Sequence, residues 1–401
     1  MTRPSTEPSF ARFALVLGLL SAIGPVAIDM YLPALPTIAA DLGVDIGAVQ
    51  MSLVSFFVAL AAGQPVYGPL SDIFGRKKPL YFGLGLFAVA AVGCAFARNV
   101  DTLVALRFVQ GFGVCAALTI VRASIRDLHT GPEAARLMSL SLLVLGISPV
   151  LAPLAGSGII LILPWRSIFL IFALTGVLGI AVVFRLMPET LPAERRNAGK
   201  FSAAFADYGL LLRNGQFMSL TAITSFANAA FFAYIIGSAS YFIGVYGLQP
   251  WFYSIVFALN AIGVIGLMQF TSVLMRRYGA ERIVMAATVV NAAATVLLLV
   301  LTVAGLAPLA VAWPILFVSV CTFGFVAAPG SVLAIDAHGE RAGTASALMG
   351  TLQFAFGAAA GALASTFFDG TATPLVAVMA VAAVAAFVIG LATLHSHRSS
   401  T

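Results

Sequence analysis

Of the fifteen acidic residues in this 401-residue chain, fourteen lie near the termini, in polar connections or at the ends of apolar runs, and Asp29 alone sits well inside one. A carboxylate in hydrocarbon is costly, so such a group faces a cavity, finds a partner or takes up a proton. Pro25, Asp29, Pro33 and Pro36 follow at spacings of four, four and three, which is one face of a helix. Pro33 has no N–H to give to the carbonyl of Asp29, so the helix is weakened beside its acid and an oxygen is left free for a proton, a water or a substrate donor. One cation, Arg107, also lies within an apolar run. At 1.5 Å per residue, Asp29 and Arg107 both stand about 25 Å from the same membrane face, so they can meet. Two readings stay open: Asp29 exchanges a proton, or Arg107 neutralises it permanently and the pair braces two helices. For Arg107 alone, the alternative is a tether reaching toward the outer interface.

Asn228, Phe231, Tyr234, Ser238 and Tyr241 recur at helical spacing along a later run. Rings supply area and a few polar groups fix orientation, which suits a small amphipathic ligand; packing against neighbouring helices is the alternative. Tyr31 and the amides Gln64, Gln110, Asn260 and Gln353 extend the candidate lining, or the amides bond across helices. Cys94, Cys115 and Cys321 all fall in apolar runs and read as small core residues, with no disulfide framework and no metal site. The histidines, His129, His338, His395 and His397, fall in loops or the tail, and no HExxH occurs, so an intramembrane enzyme is set aside.

The elements that must position these groups are plain from composition. With 61% apolar and 9% charged residues and a mean hydropathy of +1.05, the chain cannot be a soluble globular protein. A membrane-crossing helix needs about 20 mainly apolar residues, and these runs are too long for barrel strands. Hydropathy predicts an all-α protein with twelve spans: 13–40, 51–70, 79–97, 102–124, 137–161, 167–187, 217–243, 251–275, 282–304, 308–335, 342–367 and 373–394. The basic start "MTRPSTEPSFAR" precedes a run too long for a signal peptide, so it is read as a retained first span. With the amino terminus inside, eighteen of the 21 Lys and Arg fall on cytoplasmic ends and loops, against Arg98 and Arg166 outside and Arg107 within a span. Both termini are therefore expected in the cytoplasm, and the net charge of +6 is a topology signal, not a nucleic-acid surface. The longest polar connection, 188–216, separates an amino-terminal half (1–187) from a carboxy-terminal half (217–401). Phe74-Gly75 and Tyr278-Gly279 occupy equivalent places 204 residues apart, so the halves look like repeats with a substrate site between them.

The stretch "GPLSDIFGRKKPL" resembles the loop motif of the major facilitator superfamily, at Gly68, Leu70, Asp72, Gly75, Arg76 and Lys77. Four more stretches, "DMYLPALP", "GQPVYGPLSD", "FFAYIIGS" and "AGTASALMGTLQ", are similar to the Bcr/CflA-type drug:proton antiporters of bacterial inner membranes. The resemblance implies a two-half, twelve-helix fold that exports small drugs, for instance chloramphenicol-like or bicyclomycin-like antibiotics, by alternating access. Driven by the proton gradient, it would need no cofactor, and it would work as a monomer. A facilitator or importer of a small metabolite is the alternative. By the same resemblance, Arg107 at the start of "RFVQGFG" takes part in proton transfer. Asp72 would face the start of the eleventh span near Ala342 and Gly343, and Arg76 would pair with Asp127, as a cytoplasmic gate made when the halves close. The fifth span keeps Pro149, Pro153 and Gly156 of an antiporter motif, but has Ser148, Ala152 and Ser157 where glycines are expected.

Overall fold

The computed structural model of the chain describes residues 10–128, 131–196, 201–336 and 341–398, with side chains at 11, 126, 131–136, 138–145, 195, 201–206 and 394–398 left out. His129, His338 and Lys200 lie outside the described residues, as do the side chains of His395 and His397. All regular structure among the described residues is helical. The first span is α1 (Phe10–Asp29), a 3-10 turn (Leu32–Ala34) and α2 (Leu35–Leu42). It is followed by α3 (Ile46–Phe74), α4 (Lys77–Ala95), α5 (Val100–Leu128), α6 (Gly131–Ile162) and α7 (Arg166–Leu186). After the central connection, which carries α8 (Phe201–Arg213), come α9 (Gly215–Ala239) with a π-helical end (Ser240–Val245), α10 (Pro250–Tyr278) and α11 (Ala280–Val303). The tenth span is α12 (Leu309–Cys321) and α13 (Phe323–Ile335), and α14 (Ala342–Thr366) and α15 (Thr373–Arg398) complete the chain. Among the described residues eleven helices are long and apolar enough to cross a membrane, and α6, apolar over Gly146–Ile162, makes the twelfth span.

The helices run past the apolar runs because their polar ends continue the same hydrogen-bond ladder into the loops. The central connection contains α8, where hydropathy shows only a polar loop; its Tyr208 and Leu211 bury against Phe217 and Leu220 of α9. Its Asp207 pairs with Arg341, beside the start of α14, at 3.0 Å.

Glycine sets how closely the helices approach. Gly83 of α4 lies against Gly113 of α5, where a methyl group would stand 2.5 Å from the Gly113 carbonyl oxygen. In α14, methyl groups at Gly357 and Gly361 would collide with Phe232 and Ile236 of α9, so both glycines are needed for that packing. Gly75 and Gly279 both adopt positive φ, +83° and +81°, at equivalent turns of the two halves. This is the backbone counterpart of the sequence repeat.

The halves meet along α3 with α14 and along α6 with α10. At the end away from the basic loops they are bonded across. Gln50 donates to the Ile236 carbonyl at 3.0 Å and to Ser240 at 2.8 Å, and Ser254 donates to the Pro153 carbonyl at 3.0 Å. Gly47 admits the Ser365 carbonyl at the same level.

Candidate functional site

A cavity of about 260 Å³ lies between the halves. That is near the lower end of the usual range for small-molecule sites, about 300–1,000 Å³. Asp29 is on its wall at the point where α1 stops. The break forms as the prolines require: Tyr31 donates its N–H to Ile28 and not to Ala27, and Ala34 donates to Tyr31 in a 3-10 turn. Three carbonyls are thereby freed, at Ala27, Asp29 and Met30.

Arg107 takes the first, donating to the Ala27 carbonyl at 3.1 Å and to Oε1 of Gln110 at 2.6 Å. Its guanidinium is stacked among Phe56, Tyr31 and Phe169, at 4.3, 4.8 and 5.9 Å from the ring centroids. It is fully buried, so it does not reach toward an interface, and it does not pair with Asp29 in this conformation. No cation pairs with Asp29 among the described residues. In this conformation Asp29 lines the cavity, whereas Arg107 is bonded to the Ala27 carbonyl and Gln110 and lies outside the lining.

The Met30 carbonyl is directed at Gly156 of α6, where any side chain would collide with it. Pro149, one turn from Pro153, lines the cavity, and Pro153 accepts the bond from Ser254.

Of the sequence candidates for the lining, Phe231, Tyr234, Asn260 and Gln64 face the cavity. Asn260 donates to the Tyr234 hydroxyl at 2.8 Å and accepts from Trp313 at 3.0 Å, which holds three spans in register. Tyr31, Gln110, Asn228, Ser238, Tyr241 and Gln353 lie outside the lining. Tyr31 is bonded to Ser52 at 2.9 Å, Asn228 to the Thr224 carbonyl of its own helix at 2.9 Å, and Ser238 to Tyr253 at 2.8 Å. Tyr241 packs against Phe242 and Tyr246 where α9 becomes π-helical. The face therefore splits: Phe231 and Tyr234 line the cavity, while Asn228 on one side of them and Ser238 and Tyr241 on the other serve internal packing.

Phe57, Phe232 and Phe354 were not evident from sequence, yet they close the cavity from α3, α9 and α14. Phe232 stacks on Phe354 at 5.6 Å and lies 4.7 Å from Phe57. Phe232 is the immediate neighbour of Phe231, and the spacing pattern had no means to choose between them. Arg122, counted at a helix end from sequence, also lines the cavity.

A second cluster sits at the basic end. Arg76 is 5% exposed and grips Asp127 with Nε at 2.7 Å and Nη2 at 3.1 Å, while Nη1 donates to Ser71 at 2.7 Å and to Asp72. Burial would lower the Arg76 pKa, but the bonds to Asp127 and Asp72 outweigh it and hold the guanidinium above its ordinary value. Arg76 and Asp127 thus pair as the sequence led us to expect, and the pair lies wholly within the amino-terminal half. Asp72 remains half-exposed, bonded to Arg76 one turn on. Gly68 has open space where a side chain would go, so it is not a close-approach position here.

Glu189 and Thr190, just past α7, complete this cluster. Glu189 accepts the backbone N–H groups of Arg76 at 2.8 Å and Lys77 at 3.3 Å, capping α4, and Thr190 donates to Asp127 at 3.0 Å. "PET" directly after an apolar run was the signal available for them.

The sequence and the fold have counterparts. The model of the Major Facilitator Superfamily matches residues 17–362, and the chain belongs to that superfamily. It is 36% identical over 378 residues to the "Uncharacterized MFS-type transporter YdgK" of Bacillus subtilis (strain 168), covering 92% of each chain. It is 30% identical over 374 residues to the "Bicyclomycin resistance protein homolog" of Haemophilus influenzae, again covering 92% of each. In structure it resembles a D-xylose-proton symporter with a TM-score of 0.76 at 15% identity, over 94% of this chain and 97% of that one. The chain is thus a multi-pass membrane protein, a secondary transporter of small molecules and not an enzyme.

Proposed function

We propose that this transporter is a proton-coupled exporter of small amphipathic drugs, of the Bcr/CflA type, in a bacterial inner membrane. The observation that carries the reading is Asp29, which ends α1 on the wall of an aromatic cavity with no cation paired to it among the described residues. A carboxylate so placed alternates between a protonated state that tolerates an apolar ligand and a charged state that seeks a partner. Arg107, one freed carbonyl away, is that partner, and competition between proton and drug for the site gives antiport. The names of relatives such as the bicyclomycin resistance homolog support drug export. With the basic end and both termini in the cytoplasm, the orientation that the charge distribution favours, the bonds of Gln50 and Ser254 join the halves on the outer side of the cavity.

Asp29→Asn tests the coupling. In proteoliposomes it is expected to abolish drug transport driven by a pH gradient while drug binding persists. Gradient-driven transport at the native rate would remove Asp29 from the mechanism. Arg107→Ala is expected to shift the pH dependence of binding, because it removes the charge that this reading makes the partner of Asp29; an unchanged pH profile would mean that Asp29 works without Arg107.

A further inference from the structure

A second concavity, about 570 Å³, opens on the outer face of the carboxy-terminal half between α10, α11 and the tenth span. Its walls are apolar, from Leu267 and Leu274 of α10, Ala286 and Val290 of α11, and Phe317 and Val318 of α12. Val290 and Val318 are each 45% exposed at span depth, so the groove faces lipid and not the central cavity. Its walls are fixed by packing. The Phe317 ring lies on Gly263 of α10, where a methyl group would stand 2.5 Å from it, and the span is interrupted at Thr322. At the matching position of the amino-terminal half, Gly83 brings α4 close onto α5. The 204-residue offset that relates Gly75 to Gly279 puts Ala287 in that position, on the groove wall.

Charge marks one end only. Arg282 lines the groove at the start of α11, and exposed Arg276 and Arg277 stand beside it, the latter 5.2 Å over the ring of Tyr278, which is also on the wall. Glu281 is the one acid in the first turn of α11, so the rim is net positive. From Tyr278 to Leu267 the groove rises about 16 Å at 1.5 Å per residue. Half of a hydrocarbon core is about 15 Å. A basic rim at the headgroup level above an apolar slot one leaflet deep matches one class of molecule.

We infer that this groove binds an anionic phospholipid of the leaflet at the basic end, its phosphate held by Arg282 with Arg276 and Arg277, and one acyl chain lying between α10 and α11. The lipid then supports the outer side of α12 where Val320, on the inner side, borders the central cavity. The inference is independent of the proton-coupling reading.

The test is native mass spectrometry of the full-length, delipidated protein titrated with phosphatidylglycerol or with phosphatidylcholine of the same acyl chains. Phosphatidylglycerol adducts are expected at about fivefold the phosphatidylcholine level, the weight of one arginine at a membrane surface. Arg282→Gln is expected to erase that preference. Ala286→Phe, which fills the slot and keeps every arginine, is expected to reduce binding of both lipids, with Val290→Phe as a second filling variant if the first misfolds by circular dichroism. Equal binding of the two lipids, or a preference unchanged in Arg282→Gln, overturns the inference. So does full phosphatidylglycerol binding in both filling variants, which would mean a surface headgroup contact without a groove.

Discussion

Gly75 carries two constraints at once. Its φ of +83° belongs to glycine, and a methyl group there would stand 2.6 Å from the Glu189 carboxylate that caps α4. Gly279, its counterpart in the second half, has a φ of +81° and open space around it. The comparison separates strain from collision. Gly75→Ala is expected to cost about 1–3 kcal/mol from backbone strain, plus the loss of the Glu189 cap, whereas Gly279→Ala bears the strain alone. Thermal unfolding in detergent checks this, with the Gly75 variant melting lower; equal melting points would show that Glu189 contributes nothing. The turn at Gly75 was legible because glycine before a basic run has few other uses. Glu189 was not, because 114 positions separate it from Gly75 and only folding joins them.

Among the elements, the first span and α6 act together. Proline spacing forecast the interruption after Asp29, and the structure adds its consequence: the freed Met30 carbonyl needs a partner helix with no side chain at that level. Gly156 meets that need. Gly156→Ala is expected to push α6 off the broken segment, destabilising the protein by about 1–3 kcal/mol and reducing transport, while Gly158→Ala, two residues on with open space, is expected to be near neutral. Stability in detergent and transport in cells, measured for both, check it; a normal Gly156→Ala protein would refute the close approach. The helical spacing in α9 was equally visible, yet three of the five residues it defined, Asn228, Ser238 and Tyr241, are turned to internal contacts. Periodicity assigns a face, but which neighbour covers it depends on how the other helices cross.

In this structure the two halves are bonded across at the far end, while the basic-end cluster of Arg76 stays within the amino-terminal half. Gln50 ties the far end, and its loss leaves the Ile236 carbonyl without that donor, a change of about 1 kcal/mol. Asp72 is half-exposed at the basic end, available to the N-terminus of α14 when that end closes. Gln50→Ala is therefore expected to open the far end and Asp72→Asn to hold the basic end open. Paired spin labels at Asp45 and Thr371, and at the basic helix ends, would then show opposite shifts; distances unchanged in both variants would leave neither residue as a gate. The orientation itself is tested by a single cysteine at Lys200, expected to resist an impermeant thiol reagent applied to intact cells. Labelling from outside would invert the topology.

Sequence alone determined what the bilayer dictates. A chain this apolar must cross as helices, their number follows from run lengths, and the distribution of cations gives the orientation to expect; each is a one-dimensional property, summed along the chain. The repeat at Gly75 and Gly279 and the break beside Asp29 were legible for the same reason, since glycine and proline act on their own backbone. Tertiary structure alone decided who meets whom. Arg107 and Asp29 share a depth, which counting finds, but the arginine closes on Ala27 and Gln110 among three rings while Asp29 lines the cavity. Phe57, Phe232 and Phe354 form one wall from three spans far apart in the chain, because Gly357 and Gly361 of α14 make room for Phe232 and Ile236 of α9, and Gly47 of α3 admits the Ser365 carbonyl. Depth follows from residue count, whereas azimuth around each helix follows only from packing.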